Sequence, residues 1–349
     1  LLSWWSFYAG SDDELYILLI FDPGNVLVGI APLYIQNKST NATLRLIGSG
    51  GDFTHHTNWL SAMGCQDQIG TEVALFLLNS RSEWKELLFE GVDEEATSTH
   101  LTINDLSANG FLCHRRQIQS CWKISLPATW DDYLKMLSRS LRKRCRQIQR
   151  EDFDTGRIVL HQVENETDLK KGFDVLLNLH SARWGRDDKP MGVFSDKRFL
   201  EFHEAYAREL MVQKQLRMAW LECDTIPIAI EYQFFDKQTL FAYQAGIDLS
   251  KGSKSTGKLT MMASIQFAIS NGCQFFDFLS GNDPYKMNWR ATPTNCYDLR
   301  VWQRSAKGLV TWFKWHSYTK ITQRLKRIIP QRYIIQGLEL LQTIRKSQP

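Results

Sequence analysis

The chain has 349 residues, enough for two domains with substantial cores, and its content of 43% hydrophobic and 23% charged residues is typical of globular proteins. No apolar run is long enough to predict a membrane-spanning helix, and no signal peptide is evident. The seven cysteines are scattered, odd in number and form no Cys-x-x-Cys pair, so we expect reduced thiols, a cytoplasmic location and no metal site.

The net charge of +4 is unevenly distributed. Residues 139–150 carry six basic residues and no acid, and residues 303–349 carry ten basic residues against a single acid, Glu339. The remainder of the chain is therefore acidic. This asymmetry predicts two basic surfaces on an acidic body.

The first part of the chain reads as strands and helices in alternation. The chain begins at Leu1 rather than Met, and we expect Leu1–Trp5 to end a helix that starts upstream. Apolar alternation and turn residues predict strands at 14–22, 25–36, 42–50, 86–90 and 111–126, and helices at 68–80 and 94–108. The sequence from Asp22 to Asn25 predicts the turn between the first two strands.

The second part begins with a helix N-cap signature at Thr129, which opens a basic helix to about residue 154. Further helices are predicted at 167–184 and 196–213, and strands at 157–163, 216–223, 226–236, 239–246, 274–280 and 296–304. Strands with helices between them indicate an α/β or α+β fold in both halves.

The segment from Thr239 to Trp289 is the most informative part of the chain. A strand leads into a loop rich in Gly, Ser, Thr and Lys, and a helix follows from Leu259 until Gly272 ends it. Because the amides at a helix N-terminus attract anions, this junction predicts a cradle for phosphate. Its spacing fits a Walker A loop except at the last position, where Leu259 replaces the Ser or Thr that binds magnesium. Two interpretations of this loop stay open. It either binds a pyrophosphate without metal, such as that of coenzyme A, or is an ordinary polar loop.

The residues after this helix resemble a known family. Asp277-Phe-Leu-Ser-Gly281 and Tyr285-Lys-Met-Asn-Trp289, with the Ser-Thr-Gly start of the helix, resemble the GNAT acyltransferase superfamily. Within it they look like the CelD/BcsL-like branch, associated with cellulose biosynthesis and related to the Fem aminoacyltransferases. The resemblance covers about residues 15–300 and includes the Arg183–Trp184 helix end. One departure is Thr256, where the family often has Pro.

The resemblance implies an α/β fold of two GNAT-like lobes in tandem with a helical tail, bounded at 1–126, 127–304 and 305–349. It implies an N-acyltransferase that moves an acyl group from acetyl-CoA or another acyl-CoA to an amine of a small molecule, sugar or envelope-polysaccharide precursor. The alternatives are a Fem-like enzyme that uses aminoacyl-tRNA and a binding protein that keeps the fold without chemistry. We expect no DNA partner.

The same resemblance assigns roles to particular residues. The expected cofactor contacts are Ser255, Thr256, Gly257, Lys258 and Gly246. The expected catalytic groups are Asp277 or Glu231 as the base and Tyr285 as the proton donor to the thiolate. The expected substrate contacts, at a cleft between the lobes, are Lys286, Trp289, Arg183, Trp184, Tyr243 and Asp52. For Asp277 the alternative is a structural carboxylate that pairs with an arginine or caps a loop, and for Glu231 it is an exposed strand face.

The basic tail predicts an amphipathic helix over 306–329 with an apolar stripe, ended by Pro330 and followed by a second stripe. The stripe consists of Val310, Phe313, Ile321, Leu325 and Ile328, and the second one begins with Ile334, Leu338 and Leu341. Docking of both helices on the second lobe is one interpretation. The other is peripheral attachment to an anionic membrane, at its inner face.

Overall fold

A computed structural model describes residues 1–50, 54–185, 191–248, 255–281 and 283–328. The chain divides into two compact units, each with its own sheet and core. The first lobe comprises residues 10–118 and the residues from 297 onward, and the second lobe comprises residues 1–9 and 119–296. Both sheets contain parallel and antiparallel pairs, so the predicted mixed α/β fold is confirmed.

The sheet of the first lobe has seven strands. They are β1 Glu14–Phe21, β2 Leu27–Gln36, β3 Thr43–Leu46, β4 Leu60–Ser61, β5 Glu86–Asp93, β6 Leu112–Gln117 and β14 Cys296–Trp302. The order is β1-β2-β3-β5-β14-β6, with β4 paired to β2 and β3 parallel to β5. The predicted turn between β1 and β2 is present, since the Asn25 N–H donates to the Asp22 carbonyl at 2.9 Å.

Four helices of the described residues belong to this lobe: α2 Lys38–Asn41, α3 Gln66–Asn79, α4 Thr97–Ala108 and α11 Ala306–Ile328. The core lies between the sheet and helices α3 and α4, where Leu33, Leu44 and Leu87 meet Ile69 and Leu106. The apolar residues of α3 and α4 recur every three or four positions, and this spacing directs one face of each helix into the core.

The sheet of the second lobe also has seven strands. They are β7 Cys121–Ser125, β8 Ile158–Gln162, β9 Leu216–Cys223, β10 Ile226–Phe235, β11 Thr239–Ile247, β12 Phe275–Ser280 and β13 Thr292–Thr294. Their order is β13-β7-β12-β11-β10-β9-β8, with β11 and β12 parallel. Since parallel neighbours need a crossover, the chain between them forms a helix over the sheet.

The described α-helices of the second lobe are α1 Leu2–Tyr8, α5 Trp130–Met136, α6 Arg139–Ile148, α7 Glu166–Trp184, α8 Lys197–Val212, α9 Thr256–Ser270 and α10 Tyr285–Asn288. Side-chain caps begin four of them, because Thr129, Ser138, Asn165 and Asp196 accept hydrogen bonds from first-turn amides. Helix α9 is buried along most of its length in the core of this lobe.

Two predicted elements are wrong in extent. The strand expected at 111–126 is two strands, β6 and β7, which belong to different sheets because β6 pairs with β14 and β7 pairs with β12 and β13. The basic helix expected to run to residue 154 is interrupted at Leu137, whose backbone is extended, and Ser138 caps a new helix. A π-helical turn over Gln149–Phe153 follows α6.

The two lobes do not follow the boundaries predicted at 126/127 and 304/305. The division falls at 118/119 and 296/297, so the chain returns to the first lobe at its end. Helix α11 accordingly docks on the first lobe, not on the second as one interpretation held. The Trp312 indole N–H donates to the Cys113 carbonyl at 2.8 Å, and Thr319 Oγ1 lies 3.0 Å from His114 Nε2.

The second stripe of the tail and the expected break at Pro330 lie outside the described residues. All seven cysteines lie within the described residues, and among these residues they form no disulfide. Among the helices that the structure describes, none combines the length and apolarity needed to cross a bilayer.

Candidate active site

The parallel pair at the centre of the second-lobe sheet is joined over a short length. Thr239–Phe241 pairs with Phe275–Asp277, and the register ends there, although β11 continues to Ile247 and β12 to Ser280. The carboxyl ends of parallel strands are a common position for a ligand in α/β proteins. The end of this ladder therefore marks the position around which the candidate residues are placed.

A β-bulge lies in β11 just beyond the last paired residue. Gln244 pairs with Tyr232 of β10 and Ala242 pairs with Gln233, so Tyr243 is the extra residue of the bulge. Bulges are frequent beside active sites, because they change the direction of a side chain or of the backbone. The bulge thus distorts β11 at the place where its ladder with β12 has ended.

The Tyr243 hydroxyl lies 3.0 Å from Nε2 of His203 on helix α8. His203 is buried, and desolvation lowers the pKa of its imidazole to about 3. The histidine is therefore neutral near pH 7 and accepts or donates a hydrogen bond without carrying charge. Sequence reasoning assigned Tyr243 to the substrate but did not identify His203, whose only signal is a histidine on the apolar face of a helix.

The predicted phosphate cradle is located at the start of α9. Ser255 and Thr256 are buried, whereas Gly257 is exposed and no atom lies within 4 Å of the position that its Cβ would occupy. Thr256 is the first helical residue, a position that accepts the proline usual in the family. Helix α9 has no acidic residue in its first turn, so nothing there opposes the attraction of an anion.

A basic residue from another helix joins the cradle. The Arg144 guanidinium of α6 donates to the Ser255 hydroxyl, and it also donates to Gln147 Oε1 at 2.9 Å. Lys258 is half-buried in the first turn of α9, and its charge acts on the Cys145 thiol of α6. Arg144 was missed by sequence reasoning, because its approach to Ser255 depends on the packing of α6 against α9.

Gly246 has a packing role in the structure. A Cβ on this residue would lie 2.6 Å from Leu179 Cβ and 3.0 Å from the His180 nitrogen, so α7 and β11 approach more closely than a side chain allows. The predicted cofactor contact at Gly246 stays a prediction. The close packing of α7 on β11 by itself requires glycine at this position.

Asp277 is the last residue of β12 that pairs with β11. It is buried, and its Oδ1 accepts the Leu279 N–H at 2.7 Å, where Leu279 has a left-handed backbone with φ of 56°. The flanking Phe276 and Phe278 lie in the core, as their alternation predicted. The carboxylate thus holds the left-handed turn within β12, where the pairing with β7 is irregular between Asp277 and Ser280, and it lies beside the end of the ladder with β11.

Glu231 belongs to a polar group within β9, β10 and α9. It is half-buried, and it lies 3.5 Å from the amide nitrogen of Gln233. The buried Arg217 donates to Gln233 Oε1, to Ser264 Oγ at 3.2 Å and to the Ala263 carbonyl at 3.3 Å. Desolvation lowers the pKa of Arg217 to about 10, and the charge of Glu231 opposes this shift. Arg217 stands out in the sequence as a cation near the start of a mostly apolar strand.

The Tyr-Lys-x-x-Trp segment forms the short helix α10 and the turn after it. Lys286 is buried, its ammonium donates at 3.0 Å to the carbonyls of Ser280 and Gly281, and desolvation lowers its pKa. Trp289 is buried in the core, and its carbonyl accepts the Tyr133 hydroxyl at 2.7 Å. Tyr285 is 47% exposed, with its ring edge-on to Phe278. Of the three, Tyr285 alone is open to a ligand.

The structure gives no side-chain position for the remaining predicted contacts, which stay predictions. Asp52 lies outside them. Arg183 and Trp184 form the end of α7, and the structure describes their backbone only. The site thus contains the cradle, the bulge at Tyr243, the turn fixed by Asp277 and the exposed Tyr285.

Residues 139–287 match the family described as Acetyltransferase (GNAT) domain. The chain carries a GNAT acetyltransferase domain. This domain includes the cradle, the bulge and Asp277, and it makes the protein an acyltransferase. No curated protein sequence matches the chain.

Solved structures share the fold at low sequence identity. FemX is 11% identical, with a TM-score of 0.60, and the alignment covers 85% of this chain and 90% of FemX. A conserved protein of unknown function from Bacteroides thetaiotaomicron VPI-5482 is 10% identical, with a TM-score of 0.54. The alignment covers 87% of this chain and 89% of that protein. These similarities extend over most of the chain and show a shared fold.

Proposed function

We propose that the protein is an acyl-CoA-dependent N-acyltransferase whose donor is acetyl-CoA or another acyl-CoA. The observation that carries the proposal is the match of residues 139–287 to the GNAT domain, which includes the junction of β11 and α9. The open space over Gly257 and the cations Arg144 and Lys258 fit a pyrophosphate, because a side chain at Gly257 would fill that space.

The chain's own residues supply the remaining functions of the reaction. Bound acyl-CoA provides a thioester carbonyl, and a free amine attacks such a carbonyl directly when it is held close. A backbone N–H of β11 near the bulge polarises that carbonyl. Asp277 accepts the amine proton, directly or through water, with Glu231 as the second candidate, and the Tyr285 hydroxyl protonates the departing thiolate.

The acceptor that we propose is an amine of a small molecule, a sugar or an envelope-polysaccharide precursor, as in the CelD/BcsL-like branch. The support is the sequence resemblance at Asp277–Gly281 and Tyr285–Trp289. A Fem-like transfer from aminoacyl-tRNA is the second candidate. The similarity to the FemX fold and the basic helix α6 favour it.

We place the protein in the cytoplasm, at the inner face of the membrane, through helix α11. Val310, Phe313 and Ile321 are 70%, 66% and 57% exposed, on the side away from Trp312 and Thr319. These three residues of the predicted stripe thus face solvent, while the opposite side of the helix docks. Lysines 307, 314 and 320 flank it, and an apolar stripe between cations is typical of helices that lie on anionic lipid.

The cradle is tested by acetyl-CoA binding. We expect acetyl-CoA at about 100 times its dissociation constant to stabilise the protein by roughly 2.7 kcal/mol. Gly257→Ala retains the fold, because its Cβ meets no atom, and weakens binding by occupying the space of the phosphate. Gly257→Asp adds a negative charge there and abolishes binding.

Isothermal titration with acetyl-CoA and a melting curve for each variant provide the measurement. Aminoacyl-tRNA in place of acetyl-CoA tests the Fem-like candidate in the same assay. Unchanged acetyl-CoA affinity in Gly257→Asp, with normal melting, would place the donor elsewhere.

A further inference from the structure

Five cations on one side of the second lobe have no partner among the described residues. Arg139, Arg142, Lys143 and Arg146 lie on α6 and Arg150 on the π-helical turn after it, and none of them forms an ion pair or hydrogen bond there. Their spacing of three, one, three and four residues places them along one face. Arg144, which reaches the cradle, lies on the other side of the same helix.

Repulsion within this row of cations lowers the stability of the helix unless a negative charge lies nearby. Like charges three or four residues apart on a helix destabilise it, and here they follow one another over three turns. Some charged side chains of the same lobe do have partners, as in Arg157 with Asp152 at 2.9 Å and Lys171 with Glu222 at 3.3 Å. The unpaired row therefore indicates a ligand that brings negative charge.

The cations line a concavity and not a flat surface. A pocket of about 680 Å³ lies between α5 and α6, and its walls are formed by the basic row with the side chains of α5 and the buried side of α6. This volume is in the range of small-molecule sites. The lining residues that bear on the ligand are Trp130, Leu134, Arg139, Arg142 and Arg146.

The wall formed by α5 has a different chemistry. Trp130 and Leu134 are apolar, and the Trp130 ring stacks on Tyr133 with centroids 5.5 Å apart and planes at 26°, which fixes its orientation. Asp131 is the acid among the lining residues and provides a hydrogen-bond acceptor at that wall. An aromatic face and a carboxylate on one side, with guanidinium groups on the other, match a ligand with a ring at one end and phosphate at the other.

We propose that the α5–α6 pocket binds a small phosphorylated ligand of nucleotide size. Its phosphate groups lie against Arg139, Arg142 and Arg146, and its ring lies against Trp130. An amino or hydroxyl group of the ring region donates to Asp131. The oriented indole and the Asp131 carboxylate, opposite the guanidinium groups, favour a small ligand that has both a ring and phosphate over an extended polyanion or a lipid surface. The site is separate from the cradle and does not depend on the proposed acyltransfer.

Inorganic pyrophosphate and ADP are the probes that test the pocket. Isothermal titration is carried out on protein with Gly257→Asp, so that binding of phosphate at the cradle does not contribute. We expect both probes to bind, ADP more tightly, and binding to weaken as salt concentration rises. The double variant Arg142→Gln/Arg146→Gln lowers the affinity for both probes at least about tenfold, because two charge-assisted hydrogen bonds are lost.

Two further variants separate the parts of the site. Trp130→Leu removes the advantage of ADP over pyrophosphate and leaves pyrophosphate binding unchanged. Arg304→Gln, an exposed arginine of the first lobe with the same change of charge, leaves binding of both probes unchanged. The melting temperature of the double variant is equal to that of the parent or higher, since like-charge repulsion is relieved.

Three results would overturn the proposal. The first is that neither probe binds, and the second is that the folded double variant binds both probes with unchanged affinity. The third is that ADP does not bind, while phosphatidylglycerol vesicles or an RNA oligonucleotide bind in a manner that depends on Arg142 and Arg146. Should the double variant fail to fold, Arg146→Gln alone, at an exposed position, gives the same comparison.

Discussion

The side chain of Asp277 has two roles: it makes a structural hydrogen bond, and it is the candidate catalytic base. Its carboxylate accepts the Leu279 N–H at 2.7 Å and thereby holds a residue with left-handed backbone, a conformation that costs energy outside glycine. It also lies at the end of the β11–β12 ladder, where we propose the amine to bind. The two roles predict different results for two substitutions.

Asp277→Asn keeps an oxygen that accepts the Leu279 N–H but removes the base. We expect turnover of the amine substrate to fall by about 10²-fold or more at saturating acetyl-CoA, with little change in melting temperature. Asp277→Ala loses both functions, so the melting temperature also falls. Steady-state kinetics and thermal unfolding of the two variants provide the measurement. An Asn variant with parental turnover would exclude Asp277 as the base.

The position of Lys286 differs from the one that its place in the sequence motif suggested. The resemblance assigned it to an anionic ligand, whereas the structure places its ammonium against the carbonyls of Ser280 and Gly281. A lysine that is 97% buried and held by two carbonyls fixes the turn before α10. No sequence signal distinguishes a buried lysine from an exposed one in a polar loop.

At the scale of elements, helix α11 has two faces with different environments. The Arg300 guanidinium lies 3.8 Å from the Trp315 ring on the docked side, while the stripe of Val310, Phe313 and Ile321 faces solvent. Truncation of the whole tail would therefore remove part of the first lobe together with the proposed membrane surface. Substitutions on the exposed side separate the two effects.

We expect Val310→Ser/Phe313→Ser/Ile321→Ser to reduce binding to vesicles containing phosphatidylglycerol by at least about tenfold, since three apolar side chains no longer enter the lipid. The melting temperature stays near that of the parent, because these residues are exposed. Trp312→Ala on the docked side is the control and lowers stability instead. Co-sedimentation with anionic and neutral vesicles measures the effect, and equal binding of parent and triple variant would exclude this surface.

Most individual elements could be predicted from periodicity and caps. The strand at 216–223 has the predicted bounds, and α7, α8, β1, β2, β3 and β5 differ from the prediction by a few residues, whereas β4 was not predicted. The strand at 111–126 was not resolved into two, because its residues are uniformly compatible with strand. Their assignment to separate sheets depends on pairing with β14 and β12, which lie more than 150 residues away.

At the scale of the whole molecule, the same long-range pairing decides the domain organisation. Strand β14 returns to the first-lobe sheet beside β6, and α11 follows it there. The sequence order alone suggests that the tail packs on the second lobe, because that lobe directly precedes it. The order of β11, α9 and β12 around the proposed cradle was predictable because these elements are adjacent in sequence, whereas Arg144, Arg217 and His203 reach their partners through tertiary packing.

The pH dependence of stability is the last property that the structure predicts. Burial lowers the pKa of His203 to about 3, and it also lowers the pKa values of His100 and His114. In the unfolded chain a histidine has a pKa of about 6.5. As pH falls below about 6.5, the unfolded state binds protons that the folded state does not, so stability decreases until the pH approaches the folded pKa.

We expect His203 alone to contribute a slope of up to about 1.4 kcal/mol per pH unit between roughly pH 6 and pH 4. His203→Gln keeps a polar group within reach of the Tyr243 hydroxyl and has no such titration, so its melting temperature falls less steeply over this range. The parent and the variant are compared by thermal unfolding at several pH values. His100 and His114 contribute with the same sign, and their effect remains in both proteins. The same pH dependence of melting temperature in parent and variant would show that the folded protein does not lower the pKa of His203.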